Sequence, residues 1–290
     1  MNYGDKTAKE ITEAIIEALE DANSKDWKAP WAMLGAGHRN AFTSRPYRGF
    51  NAIWLAFIAA QRGYTSHYWA TFNAWKKNDM KVKKGSKGVT ICFWQPNTYT
   101  KTLKDGTEEE RNGLLFKVYN VFNADCVEGW EEPSNDLTPV DTLDDCETTI
   151  HATGANIQHG GDRACFIQSM DLIQLPKLEQ FDSTEDYYGT AFHELVHWTG
   201  AKNRLDREFG KRFGDNAYAF EELVAELGAV MLCADHGIEA VQRPSHAQYI
   251  KHWIEVLKAD PKALWTAGSK AQQAADYIAE FRENEQAEAA

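Results

Sequence analysis

No two cysteines of this chain stand at C-x-x-C spacing; the five it has, Cys92, Cys126, Cys146, Cys165 and Cys233, are scattered and odd in number. That speaks against a cysteine-built zinc site and a disulfide framework, and sets the expectation of reduced thiols in a cytoplasm. Long apolar runs are missing too. The longest, Ala52 to Ala60, falls far short of the ~20 residues that span a bilayer. The opening M-N-Y-G-D-K has no apolar core of signal-peptide length, so no membrane association is expected. There is no internal repeat. No P-loop, helix-turn-helix or zinc-finger pattern occurs, so sequence-specific readout of duplex DNA is not indicated. Acid is nearly absent from one stretch: between Trp27 and Lys104, 13 lysines and arginines accompany a single carboxylate, Asp79.

What is present is a globular composition, 43% apolar, 12% aromatic and 26% charged over 290 residues, enough for two domains. The net charge of −12 is unevenly spread. Residues 1–130 carry 18 basic against 14 acidic side chains, and the rest carries 13 against 29. The spacing predicts an amphipathic helix over 6–23, a buried helix over 51–61 closed by Gly63, and a helix over 66–78. V-T-I-C-F-W reads as a strand, D-G-T-E-E-E-R-N-G as a hairpin loop and L-L-F-K-V-Y-N-V-F as a second strand. The acidic, proline-containing stretch from Glu131 lacks periodicity and marks a linker over 131–148 between domains at 1–130 and 149–290. Beyond it, Cys165–Leu175 predicts strands ended by Pro176. Helices follow at 184–199, 216–236, 246–258 and near 261–283. A small sheet preceding helices makes the second domain α+β.

Residues 193–197 read H-E-L-V-H. In a helix, His193 and His197 lie four residues apart and project from one face, while Glu194 lies about 100° round. Two neutral imidazoles can hold an ion and the adjacent carboxylate can take a proton from its water, the division of labour in a zinc hydrolase. Ser183 with Asp186 starts this helix and Gly200 stops it, while Gly189 removes bulk beside His193. Zn2+ is the expected ion, with another divalent ion such as Mn2+ as the alternative. A catalytic zinc takes a third protein ligand. F-E-E-L-V-A-E-L-G-A at 220–229 supplies candidates: Glu222 first, Glu226 as imidazole-orienting group or ligand in its place, and Glu221 as the outsider. Tyr218 and Tyr249 are assigned to the core, with donation to an oxyanion as the alternative. His151, His159, His236, His246 and His252 have no comparable spacing and are expected at the surface or in loops.

The basic half suits single-stranded nucleic acid, because phosphates attract lysine and arginine while unpaired bases stack on aromatic rings. Its candidates are Arg45, Tyr47 and Arg48 in S-R-P-Y-R-G, Trp69, Lys76 and Lys77, and the loop residues Lys81, Lys83, Lys84 and Lys87. Gly85 and Gly88 in that loop would let backbone amides approach a phosphate. Trp54, Phe57 and Phe72 are assigned to the core.

The segments N-A-F-T-S-R-P-Y-R-G-F-N, Y-W-A-T-F-N-A-W, V-K-K-G-S-K-G-V-T-I-C-F-W and Y-N-V-F-N-A-D-C-V-E-G resemble the N-terminal domain of ArdC-type antirestriction proteins, shared with plasmid-borne DNA primases. H-E-L-V-H-W-T-G-A-K-N-R-L-D-R and E-E-L-V-A-E-L-G-A resemble the metallopeptidase-like domain of the same family. The resemblance implies an N-terminal mixed α/β domain that binds single-stranded DNA and a C-terminal zincin-like domain. It further implies protection of incoming plasmid DNA from host restriction during conjugation. The family's metal motif falls on His193, Glu194 and His197, with the third ligand among Glu221–Glu226. M-D-L-I-Q-L-P resembles the zincin strand that borders the substrate cleft. A restriction enzyme or another protein is the partner a peptidase centre would act on.

Overall fold

The computed structural model describes residues 3–20, 37–102, 107–133, 139–209, 216–238 and 246–289. In chain order the elements are α1 (Tyr3–Glu20), β1 (Arg39–Asn40), α2 (Phe50–Arg62), β2 (Tyr68–Thr71), α3 (Phe72–Lys77) and β3 (Lys81–Val82). Then come β4 (Val89–Thr102), β5 (Glu108–Asn123), β6 (Val127–Glu128), α4 (Pro139–Ala152), β7 (Asn156–His159), β8 (Cys165–Ile167) and β9 (Leu172–Leu175). Four helices finish the chain: α5 (Thr184–Thr199), α6 (Asn216–Asp235), α7 (His246–Ala259) and α8 (Ala263–Ala289). The architecture is α+β in two compact units. One comprises Met1–His38, Pro46–Gly63 and Pro133–Ala290, the other Arg39–Arg45 and Tyr64–Glu132. No described helix is long and apolar enough to cross a membrane.

The larger unit is built on α6, which is buried all along its middle and hydrophobic on every side but one: Leu223, Val224, Leu227 and Val230 fill the core. Such a helix needs neighbours all round, and α5 and α8 supply them. The buried face of α8 is mostly alanine (Ala263, Ala267, Ala271, Ala274, Ala275), so its backbone can come close to α6. The N-terminal helices belong to this unit. Phe50 of α2 stacks on Trp265 of α8 with ring centroids 4.1 Å apart, and Gly49 N–H donates to Gln272 at 2.8 Å. On α1, Ile11, Ile15, Ile16 and Leu19 are buried, and the Thr12 hydroxyl donates to the Pro261 carbonyl. The compact units therefore cut the chain differently from a division at 130/149, because the apolar faces of α1 and α2 are covered by the C-terminal helices.

Residues 139–148, expected in the linker, lie in α4. There Cys146 and Ile150 are buried, Asp144 is exposed, and Asp145 and Glu147, half-buried, make ties to neighbouring helices. Asp145 accepts from His236 Nδ1 at 2.8 Å and pairs with Arg282. His236 is accordingly a buried residue rather than a surface one, stacked on Phe192 with centroids 5.3 Å apart. Burial holds its pKa below the usual imidazole value despite Asp145. The three-stranded sheet has the order β7-β9-β8, with β9 parallel to β7 and antiparallel to β8. Strand β7 went unrecognised in the sequence because only Ile157 of N-I-Q-H is apolar.

The smaller unit is a sheet of order β1-β2-β5-β4 plus the ribbon β3–β6. Its long hairpin pairs Val89 with Val121 and Thr102 with Glu108, so the charged E-E-E-R-N-G segment continues the strand and does not form the loop. The expected helix at 66–78 divides in two. Tyr68–Thr71 pairs with β5 as a strand, and the Thr71 hydroxyl caps the short helix α3 by accepting from Ala74 N at 3.2 Å. Trp75 anchors this unit's core with Ala70, Ala124 and Val127, its indole donating to the Phe122 carbonyl at 3.2 Å. All five cysteines are free thiols, four of them buried. Burial pushes the Cys92 thiol up to about 11 and Cys146 to about 12.

Candidate metal centre

Helix α5 starts at Ser183, whose hydroxyl accepts from Asp186 N at 3.1 Å, and ends at Gly200. It crosses α6 where a Cβ on Gly228 would lie 2.7 Å from Val196 Cγ2. This absent methyl lets the two helices approach closely enough for histidines on one to meet glutamates on the other. Gly228→Ala is expected to force them apart, destabilising the fold by about 1–3 kcal/mol. It should also weaken metal binding, as thermal melts with and without Mn2+ would show. Gly189 has a lesser part, since a Cβ there would stand at an ordinary 3.8 Å from Cys233 Sγ.

His193, His197 and Glu222 converge, each offering one donor atom within 4.8 Å of the others, all three buried. The two Nε2 atoms are 3.1 Å apart. Ligand nitrogens at 2.0–2.1 Å from a tetrahedral ion would be separated by about 3.3 Å, so the spacing fits a shared divalent cation. Glu222 faces both Nε2 atoms, with Oε2 3.6 Å from His193 and Oε1 3.5 Å from His197. The other two glutamates stand behind the imidazoles. Glu226 Oε2 is 3.8 Å from His193 Nδ1, and Glu221 Oε1 is 3.3 Å from His197 Nδ1. Two rings whose Nδ1 sides face carboxylates leave both Nε2 atoms for a cation. Glu222 is thus the glutamate that groups with both Nε2 atoms as a candidate third donor, while Glu226 and Glu221 face the Nδ1 sides.

Burial opposes a charge on His197, but its hydrogen bonds to Glu221 and Glu222 outweigh it and raise the pKa to about 10. Burial likewise disfavours charge on Glu222, yet the two histidines hold it well below the usual carboxylate range. When bound, a divalent ion supplies Lewis acidity and lowers the pKa of its water. Glu194, also buried, lines the same cleft. The cleft holds about 530 Å³, and Phe166, Phe181, Phe209 and Tyr218 give it an aromatic wall. Tyr218 is thus placed at the site, whereas the side chain of Tyr249 lies outside the described residues. The strand bordering the cleft is β8, through Cys165 and Phe166. M-D-L-I-Q-L-P contributes only Pro176, because its strand β9 is buried between β7 and β8.

The nucleic-acid candidates fare unevenly. Trp69 is 0% exposed, set edge-on against Tyr64, and has no face for a base. Phe72, assigned to the core, is 51% exposed. It opens α3 just ahead of the exposed Lys76 and Lys77 and packs edge-on against Phe122, whose ring lies beside Gly88 in the lysine loop. Phe93 and Tyr119 are also exposed, at 41% and 43%, and their rings meet at 5.8 Å. Arg45, Lys84 and Lys87 are exposed. Lys81 and Lys83 are exposed too, Lys83 donating to the Asp125 carbonyl at 2.8 Å and Lys81 lying 3.8 Å from Glu128. Arg48 pairs with Asp276 and, with Tyr47, borders a cavity containing Asp235 and Glu280, surroundings that repel phosphate. Trp54 is half-buried and stacked on the buried Phe57.

Residues 5–122 match the family model of the N-terminal domain of anti-restriction factor ArdC, and residues 144–270 match that of a zincin-like metallopeptidase. The fold matches the metal-free crystal structure of the antirestriction ArdC protein from the R388 plasmid with a TM-score of 0.79 and 34% identity, covering 96% of this chain and 98% of that one. The chain belongs to the ArdC antirestriction family. The Mn(II)-bound structure of the R388 protein matches with a TM-score of 0.75 and 35% identity over the same shares. Protein y4eC of Sinorhizobium fredii is 36% identical over 276 residues, covering 92% of this chain and 90% of that protein. A DNA primase TraC of Escherichia coli is 32% identical over 297 residues, and the chain spans 27% of its length. The zincin-like domain of this ArdC-family chain implies a divalent metal, and the three residues the geometry brings together are a group that could hold one. Arg207, buried against Glu221, escaped the sequence reading because nothing in the spacing of W-T-G-A-K-N-R-L-D-R ties it to the histidines.

Proposed function

We propose that this chain protects incoming plasmid DNA from restriction by binding it as a single strand through the lysine-rich surface of its smaller unit. The carrying observation is the exposed Phe72 flanked by Lys76 and Lys77 and adjoining the Lys84–Gly88 loop: a stacking ring set among cations. The matched N-terminal domain of ArdC and the plasmid origin of the R388 relative support the same reading. Zn2+ or Mn2+ would occupy His193, His197 and Glu222, the R388 protein having a Mn(II)-bound form. The test is plasmid transfer by conjugation into restricting and non-restricting recipients, with and without the chain. Expression should raise transfer only into the restricting recipient; equal transfer with and without it would end the proposal.

A second reading, a peptidase acting on a protein substrate with the basic unit recognising the partner, is favoured by the aromatic cleft around Glu194 and the edge strand β8. An extended peptide can add to such an edge. Glu194→Ala separates the two readings. It should leave metal binding and single-strand binding unchanged while removing any peptide cleavage; loss of restriction protection in this variant would make hydrolysis part of the function.

A further inference from the structure

We propose that Arg207 and Glu221 act as a positioning pair for the metal centre, fixing the ring of His197 so that its Nε2 faces His193 and Glu222. The inference rests on the metal centre described above. Arg207 lies in the loop after α5, yet its guanidinium is buried and spends its donors on that helix and on α6. Nε donates to Glu221 Oε2 at 3.0 Å and Nη2 to Glu221 Oε1 at 2.8 Å. Nη1 donates to Thr199 Oγ1 at 2.8 Å and Nη2 also reaches the Val196 carbonyl at 2.5 Å. Val196 and Thr199 flank His197 on the last turn of α5. One planar fork thus ties the turn that carries the imidazole to the carboxylate on which the imidazole rests, a task for arginine rather than lysine.

Glu221 completes the chain of contacts. Its Oε1 accepts from His197 Nδ1 at 3.3 Å, which places the proton on Nδ1 and leaves the Nε2 lone pair for the ion. A carboxylate buried beside an imidazole alone would be costly; the guanidinium compensates it. The backbone is shaped for this arrangement. Arg207 N donates to the Gly200 carbonyl at 2.9 Å and Leu205 N to that of Thr199 at 2.9 Å, folding the loop back over the helix end. A Cβ on Gly200 would lie 2.8 Å from Arg207 Nη2 and 2.8 Å from Phe209 Cζ, so glycine keeps that space open.

The test uses the full chain with Co2+ as probe, read by absorption titration, and metal-free melting by circular dichroism. The double variant Arg207→Met/Glu221→Gln removes the ion pair without leaving an unpaired buried charge. It should melt cooperatively, bind Co2+ about 10- to 100-fold more weakly and shift the Co2+ bands. Arg207→Lys should recover part of the affinity. Wild-type affinity and bands in the folded double variant would overturn the proposal. If the double variant does not fold, Glu221→Asp replaces it: the carboxylate withdraws by one methylene, and unchanged Co2+ affinity would again overturn the pair's role. Glu222→Gln runs beside them as the control on the centre itself. Were it to bind Co2+ like the wild type, the metal centre would be wrong; were it alone to lose Co2+, the centre would stand and the pair would be structural only.

Discussion

Glu222→Gln should lower the affinity for Mn2+ or Zn2+ by about a hundred- to a thousandfold, the share of one ligand in ~10–16 kcal/mol of site binding. Glu226→Gln, one turn along the same helix, should cost no more than about tenfold. The contrast follows from position. Glu222 stands 3.5–3.6 Å from both Nε2 atoms, whereas Glu226 stands 3.8 Å from the far nitrogen of one ring. Titration calorimetry on metal-stripped protein reads both. A larger loss at 226 than at 222 would reverse the assignment and show that α6 turns its other carboxylate to the ion.

The second large effect concerns the lysine surface. Lys76→Ala/Lys77→Ala/Lys84→Ala should lower the salt slope of single-strand binding by about two units, at ~0.7 per phosphate contact. Phe72→Ala should weaken binding by about 1–3 kcal/mol, roughly 5- to 150-fold, through one lost stacked base. Trp69→Ala behaves differently. Its indole is fully buried, so the substitution should destabilise the protein by about 3–5 kcal/mol. Fluorescence anisotropy with melting of each variant separates the two classes. If Phe72→Ala binds like the wild type while the triple variant is impaired, the surface works by charge alone.

How far the sequence carried depended on range. His193, Glu194 and His197 sit within one helical turn and a bit, so their shared face follows from the 3.6-residue period, and the ends of α5 follow from Ser183 and Gly200. Glu222 could be shortlisted but not chosen, because the choice depends on how α5 and α6 cross at Gly228, a long-range packing fact. Arg207 was beyond reach for the same reason: its partner Glu221 lies 14 residues on, across a helix junction. In the basic half, aromatic spacing misled. Trp69, Phe72 and Trp75 recur every third residue, as on one helical face, yet Trp69 belongs to a strand whose two middle residues, Trp69 and Ala70, are both fully buried. Phe72 then begins a new helix pointing outward. The stretch at 131–148 looked like linker because its acids hid the inward face of α4, which holds Cys146 and Ile150.

The measurement that bears most directly on the central claim is binding of the full chain to one oligonucleotide, single-stranded and as its duplex, across a salt series. The single strand should bind more tightly at every salt concentration, with log affinity falling steeply and linearly against log salt. No binding at low salt, or an equal or greater affinity for the duplex, would contradict it.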